Sequence, residues 1–254
     1  MSIITLTSDL GYQDYYLSKL KSSILKHLPQ TQFLDINHEI TSHDIQFAAY
    51  SIMNVWRDLP KGSIHIISVY NHYARNNEYI AFEREGHYFV GPNNGVFTLL
   101  FEDLSPIETH KIEGTFDSYF GLFAHATALL ATGAPIQDVG PNIGNLTQKI
   151  HILPVYTSNE IRATIMHVDR FGNAVLNIEK GFFNKNRKER DFEIYFKNSD
   201  PITDIHHSYS QVQVGDVMAT FNMNNFLEIG INMGNASTML DLYKDGTIQI
   251  HFKD

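Results

Sequence analysis

A chain of 254 residues that is 43% hydrophobic and 12% aromatic can bury a large core, fits one large domain or two smaller ones, and is not a disordered chain. Its 28 acidic against 19 basic residues leave a net charge of −9, which disfavours nucleic acid or an anionic membrane as the main partner. With no cysteine, disulfides, thiolate zinc sites and a cysteine nucleophile are excluded; a start of Met1-Ser2-Ile3-Ile4-Thr5 and no apolar run of membrane-spanning length make a soluble cytoplasmic protein the expectation.

Residues 3 to 7 alternate Ile and Thr as a first strand, which breaks at Ser8-Asp9-Leu10-Gly11 before a helical pattern from about Asp14 to Leu28. Strand, polar turn and helix is an α/β opening. Gln32 to Ile36 reads as a second strand, and Thr41-Ser42-His43-Asp44 caps a long amphipathic helix that ends before Pro60. Ser63 to Tyr70 is an almost unbroken apolar run, suited to a buried parallel strand. Short strands follow at Tyr79 to Phe82 and His87 to Val90, then a turn at Gly91-Pro92-Asn93-Asn94-Gly95, a short helix from Val96 and a longer one from Phe120 to Ala131.

Residues 133 to 147, rich in Gly and Pro, read as linker, which places an α/β N-terminal domain at 1–150 and a second domain at 160–254. There the periodicity turns to strands, at Ile161 to Val168, Ala174 to Ile178, Phe192 to Phe196, Asp216 to Phe221, Leu227 to Ile231 and Thr247 to His251. That domain is expected to be small, β-rich and barrel-like. The basic run Asn184 to Arg190 reads as a solvated loop.

Four polar clusters interrupt apolar elements: Ser8 to Gly11 with Asp14, Tyr70 to Asn77, Phe116-Asp117-Ser118, and Asp169 to Asn173. The first three follow predicted strands, where open α/β sheets place ligands. The fourth offers a carboxylate, a ring, open backbone and an amide, suited to a ribose, a purine or an amino acid, although the same residues also make an ordinary turn. No Gly-x-Gly-x-x-Gly, no phosphate-binding Gly-Lys-Ser/Thr loop and no Gly-x-Ser-x-Gly elbow occurs. His38, His43, His125 and His206-His207 lack the spacing of a metal motif, so no metal is expected.

The segments Thr5 to Asp14, Asp35 to Ile40, Pro60 to His65, Gly91 to Gly95, Thr115-Phe116, Val168 to Asn173 and Leu227 to Ala236 resemble, in order, the motifs of the S-adenosylmethionine hydroxide adenosyltransferase family, which includes the fluorinase and chlorinase. The resemblance implies a homotrimer whose active sites lie between the N-terminal domain of one subunit and the C-terminal domain of its neighbour. It also implies attack at C5′ of S-adenosylmethionine, as substrate and with no cofactor, releasing methionine. By position, Asp9 matches the carboxylate that takes both ribose hydroxyls, and Asp14 and Asp169 match residues around the methionine amino group. Phe171 and Asn173 match the adenine stack and amide contact, Phe116 and Ser118 line the reacting carbon, and Asn232-Met233 matches backbone near the adenine edge. His43 and Tyr209 fall where the fluorinase has aromatic rings.

The departures fall on the chemistry. Hydroxide-using members carry an Asp, an Arg and a His where this chain has Tyr70, Asn77 and Asp117, and the rewired set would be His72, Arg75 and Asp117. Tyr70 and Ser118 are instead the residue types of the fluorinase, while Tyr73 replaces its small threonine and Met223-Asn224 replaces a Ser-Arg pair. Three readings follow: hydrolysis of S-adenosylmethionine to adenosine and methionine, a halide-using adenosyl transferase, and an adenosyl-binding protein with no turnover or an unknown nucleophile.

Overall fold

The computed structural model describes residues 2–73, 78–101, 108–144, 146–196 and 200–253. The chain divides into two compact units, Met1–Ile150 and His151–Asp254.

In the first unit, strands β1 (Ile3–Ser8), β2 (Gln32–Asn37), β3 (Ile64–Ser68), β4 (Tyr79–Arg84), β5 (His87–Pro92) and β6 (Thr109–Lys111) form one sheet in the order β2-β1-β3-β5-β4-β6. β2, β1, β3 and β5 run parallel, and β4 pairs antiparallel with β5 and β6. Every residue of β3 is buried, as its unbroken apolar character requires of a strand covered on both faces. Helices α1 (Tyr16–Leu25), α2 (Ile45–Met53), α3 (Val96–Leu100) and α4 (Tyr119–Ala131) supply those covers. Leu20 and Ile24 of α1 join Phe123 and Leu130 of α4 over Ile4 and Ile66; Ala48 and Ile52 of α2 join Phe97 of α3 over Ile67 and Phe89. This is the mostly parallel, helix-flanked α/β domain expected from the sequence.

Two elements differ from expectation. The helix foreseen up to Pro60 stops at Met53, after nine residues capped by Asp44, whose Oδ1 accepts the Phe47 N–H at 3.0 Å. The chain then turns as a short 3-10 segment, Trp56–Asp58, because the apolar pull on Trp56 brings its indole into the core at 1% exposure. The segment read as a linker also packs onto this unit. Ile136–Val139 forms a 3-10 turn, Thr147 is hydrogen-bonded to Asn93 through both its N–H and its hydroxyl, and Ile143 and Leu146 cover the α2/α3 core.

The second unit contains β7 (Val155–Tyr156), β8 (Glu160–Val168), β9 (Ala174–Glu179), β10 (Phe192–Tyr195), β11 (Ile205–His206), β12 (Val217–Phe221), β13 (Phe226–Ile231) and β14 (Thr247–Phe252), mainly antiparallel, in the order β10-β14-β8-β9-β13-β12-β11 with β7 beside β8. The first half of β8 pairs with β14 and its second half with β9, across an irregularity between Ile165 and His167. One long strand thus serves both halves of a curled sheet, in keeping with the β-rich, barrel-like expectation.

The basic run is not a solvated loop. Its residues 184–187 form the second half of a helix, α5 (Lys180–Arg187), because Phe183 anchors one face in the core while Lys188, in left-handed backbone, ends it. The Arg187 and Arg190 guanidinium groups stack on Phe192 and Phe252 at 4.8 and 4.9 Å from the ring centroids. A last helix, α6 (Ala236–Leu240), is capped by Asn235. Among the described residues no helix is long and apolar enough to cross a membrane.

Candidate functional site

The strand order of the first sheet reverses between β1 and β3, since β2 lies on the far side of β1 and β5 on the far side of β3. Open α/β sheets take ligands at the carboxyl ends of the strands at such a point. Asp9 follows β1 and Tyr70 follows β3 by two residues, so both stand there. Asp9 Oδ2 accepts the backbone N–H groups of His43 at 3.1 Å and Tyr70 at 3.2 Å. Both donors are non-glycine residues in left-handed backbone, with φ of 72° and 56°. Such conformations persist where surrounding structure holds them, and they concentrate at functional sites. The rings of His43 and Tyr70 lie 4.7 Å apart, and Asp9 Oδ1 has no hydrogen-bond partner among the described residues.

The loop carrying Asp9 is fastened from beneath. Ser8 Oγ lies 2.6 Å from His38 Nδ1 and accepts the Leu10 N–H at 3.4 Å, while the Gly11 N–H donates to the His38 carbonyl at 2.8 Å. On its other side His38 Nε2 stands 3.2 Å, obliquely, from Asp35 Oδ1, and Asp35 Oδ2 accepts from Lys21 at 2.6 Å. Burial holds the His38 imidazole below its ordinary pKa and therefore neutral. Burial pulls the Asp35 carboxyl up, but hydrogen bonds from Lys21 and His38 outweigh it and leave it below the usual range.

The same unit carries several other residues singled out from sequence. His72 is exposed, and its ring meets Tyr119 edge-on at 5.7 Å. Ser118 caps α4 through its backbone while its hydroxyl makes no capping bond, and Asp117 is exposed beside it. Phe116 folds over Gly114 and Gly121 with its ring 5.3 Å from that of His125. Asp14 is exposed in the turn before α1. Arg75 and Asn77, and the side chain of Tyr73, lie outside the described residues. Tyr119 was not foreseen: burial, and next to it the Asp9 charge, push its phenol up to about 12, so it stays protonated.

In the second unit, the Asp169 to Asn173 segment is a turn that fastens itself. Asp169 Oδ1 accepts the N–H groups of Phe171 and Asn173 at 2.9 and 2.8 Å, and Oδ2 accepts Asn173 Nδ2 at 3.0 Å. Gly172 has φ of 86° and sits against the Asn235 side chain, where any Cβ would collide. The result presents the Phe171 ring at 76% exposure. Beside it, the Tyr209 hydroxyl donates to Glu228 Oε1 at 2.9 Å, and both the hydroxyl and Asn173 Oδ1 press on Gly230. Burial, and next to it the Asp169 charge, raise the Glu228 carboxyl; burial and the Glu228 charge raise the Tyr209 phenol.

Glu228 was missed in the sequence, although one carboxylate inside Phe226-Leu227-Glu228-Ile229-Gly230-Ile231 was the available signal. Gly230→Ala should displace Tyr209 and Asn173 and destabilise the unit by about 1–3 kcal/mol, lowering the thermal midpoint by several degrees. An unchanged midpoint would show that this approach is not tight.

The remaining residues fall unequally. Met233 stands at a turn tip in left-handed backbone, 86% exposed, next to the Asp169 turn because Ile229 of β13 pairs with Ala174 of β9. Asn232 is committed internally: its N–H goes to the Asp216 carbonyl, its own carbonyl accepts from Gly215, and Nδ2 donates to Val212. For the backbone contact foreseen for Asn232-Met233, the Asn232 N–H is therefore taken, while its carbonyl keeps a second lone pair. Asn224 lies at the opposite end of β13, in the exposed turn before Phe226, which pairs with Glu179. Among the described residues no group of three or more His, Cys, Asp or Glu is placed to hold a metal ion.

Known proteins resemble the chain along both units. Residues 4–140 match the model of the SAM hydroxide adenosyltransferase N-terminal domain and residues 163–249 that of the C-terminal domain. The chain is 28% identical over 263 residues to an (R)-S-adenosyl-L-methionine hydrolase of Methanocaldococcus jannaschii, covering 95% of this chain and 93% of that protein. It is 28% identical over 171 residues to a fluorinase of an Actinoplanes species, covering 54% and 57% of the two chains. A crystal structure of an uncharacterised conserved protein from Thermotoga maritima shares the fold, with a TM-score of 0.86 at 24% identity over 98% of this chain and 99% of that one. Both halves matched in order over most of its length, the chain belongs to the SAM hydroxide adenosyltransferase family.

Proposed function

We propose that this protein cleaves S-adenosylmethionine by attack of water or hydroxide at C5′, giving adenosine and L-methionine. The observation that carries the reading is Asp9. A carboxylate at the strand-order reversal, with one oxygen held by two backbone donors and the other open, suits the adjacent hydroxyls of a ribose. Near-full-length similarity to a protein named as such a hydrolase supports it.

In this reading Asp9 takes the ribose, with His43 and Phe116 against the nucleoside and Ser118 and Tyr70 near the reacting carbon. Phe171 and Asn173 take the adenine, with Tyr209 and Met233 at its edge, and Asp14, Asp169 and Asn224 serve the methionine end. The assembly is a cytoplasmic homotrimer without cofactor, each site joining the N-terminal half of one copy to the C-terminal half of the next. The water oxygen bonds to C5′ as the C5′–S bond breaks, and sulfur departs with the electron pair as a neutral thioether. No acid is therefore needed, and the protein's task is to align the nucleophile and remove its proton. Among the described residues His72 and Asp117 are the bases offered there.

Tyr70 and Ser118 favour a second reading, a halide nucleophile, because they match the fluorinase residue types. Incubation with S-adenosylmethionine in fluoride, chloride and halide-free buffer, followed by chromatography of the nucleosides, separates the readings. Adenosine in all three buffers is the expected result. A 5′-halo nucleoside would replace hydrolysis by halogenation, and tight nucleoside binding without product would remove both.

A further inference from the structure

Beneath Asp9 runs a line of polar groups, buried at its His38 and Ser8 end, for which the proposed reaction provides no role. It begins at Lys21 on α1, passes through Asp35 on β2 and His38 just after it, and ends at Ser8, the last residue of β1. His38 is 1% exposed and Ser8 is fully buried, so Ser8 is shielded from any substrate and is not a nucleophile. The hydrogen bonds nevertheless have a direction. The ionised Asp35 favours the proton on His38 Nε2, which leaves Nδ1 as an acceptor for the Ser8 hydroxyl. With its proton so committed, Ser8 Oγ turns a lone pair to the Leu10 N–H, and the His38 carbonyl holds Gly11. Asp9 thus stands between Ser8, whose side chain His38 holds, and Leu10 and Gly11, whose N–H groups are held by Ser8 Oγ and the His38 carbonyl. The segment from His38 to His43 fastens the Asp9 loop at two levels, through Ser8 and Gly11 below and through the His43 N–H on Asp9 itself.

We propose that His38, oriented by Asp35 and acting through Ser8, is the positioning residue that holds the Asp9 carboxylate in its ligand-binding geometry. The inference rests on the reading of Asp9 as the ribose-binding group. Its consequence is a pH-dependent affinity. An imidazolium has no acceptor for the Ser8 hydroxyl, so protonation of His38 reverses that bond and leaves the buried Ser8 proton without its acceptor beneath the Asp9 loop. The groups facing His38 are Asp35, Lys21, Ser8 and the ring of Tyr12, whose centroid lies 5.3 Å away edge-on. Of these only Asp35 and Lys21 carry charge near neutrality, and they are paired with one another.

Adenosine titrated calorimetrically into the full chain tests the proposal. At pH 7.5, Ser8→Ala and His38→Leu should each weaken binding by about tenfold, the size of one lost buried hydrogen bond with its orphaned partner. His38→Asn, which keeps an acceptor where Nδ1 stands, should remain within about threefold of wild type. Wild-type affinity should be level above pH 6.5 and fall below it, whereas His38→Asn should lack this fall; a loss of packing alone would not produce that difference. If His38→Leu does not fold, Ser8→Ala, which removes one buried oxygen, serves in its place. Wild-type affinity in Ser8→Ala together with abolished binding in Asp9→Ala would overturn this inference and leave the ribose reading standing. Unchanged binding in Asp9→Ala would overturn both.

Discussion

Asp9→Ala is expected to reduce adenosine affinity by at least about a hundredfold, since two hydroxyl hydrogen bonds to a carboxylate, at about 1.5–3 kcal/mol each, are lost together. A second effect adds to the first. The His43 and Tyr70 N–H groups lose their shared acceptor, and both residues adopt left-handed backbone in the company of that oxygen. Without it the two loops have less reason to keep their shape. Asp9→Asn separates the contributions, because the amide preserves an acceptor for the backbone donors while removing the charge. Its affinity should fall between alanine and wild type, with the thermal midpoint closer to wild type. Calorimetry on the three proteins reads both quantities, and equal adenosine affinity across them would take Asp9 out of the site.

The second large effect concerns acid stability. Thr5 on β1, His65 opposite it on β3 and His87 on β5 form a buried polar line, with Thr5 Oγ1 to His65 Nδ1 at 2.8 Å and His65 Nε2 to His87 Nδ1 at 3.1 Å. Burial, helped by the neighbouring His87, lowers the His65 pKa from 6.5 to about 3. Below pH 6.5 the unfolded chain therefore takes up a proton that the folded chain refuses. The stability due to this residue is complete above that pH and is lost as pH falls towards about 3, at about 1.4 kcal/mol per unit. His87 and His38, whose pKa values burial also lowers, act in the same direction. Denaturant unfolding from pH 7.5 to 4.5 should show a steep loss in wild type and a shallower one in His65→Gln, whose amide does not titrate and reaches the same partners. Parallel curves would mean that His65 is accessible to protons in the folded state.

Much of this architecture was legible in the chain because its signals are local. The almost unbroken apolar run at Ser63 to Tyr70 reads as a buried strand, and Asp44 before an apolar period reads as a cap; both are so in the fold. What escaped depends on contacts distant in sequence. Trp56 cuts α2 short because the core draws it in, and Phe183 turns a basic stretch into a helix by burying one face. The site divides in the same way. Asp9 and the Asp169 turn stood out as polar breaks in apolar strands, whereas Glu228, Gly230 and Tyr119 acquire meaning only beside Tyr209, Asn173 and Asp9. His38 shows in the sequence only that it lacks metal-motif spacing, and its 2.6 Å approach to Ser8 and its carbonyl on Gly11 tie it to the loop that carries Asp9.

The turn that presents Phe171 draws its hydrogen bonds from its own residues Asp169 to Asn173 and from the Ser237 N–H on the Gly172 carbonyl, and its steric fit from Gly172 against Asn235. All of these residues belong to the second unit. Groups that share no partners respond to substitution independently. In the proposed reading, a protein built this way can exchange the side chains around a reacting carbon while its base-stacking surface stays intact, so recognition and chemistry are free to diversify at different rates. A change of nucleophile would then ask for local substitutions in one unit and for no redesign of the other.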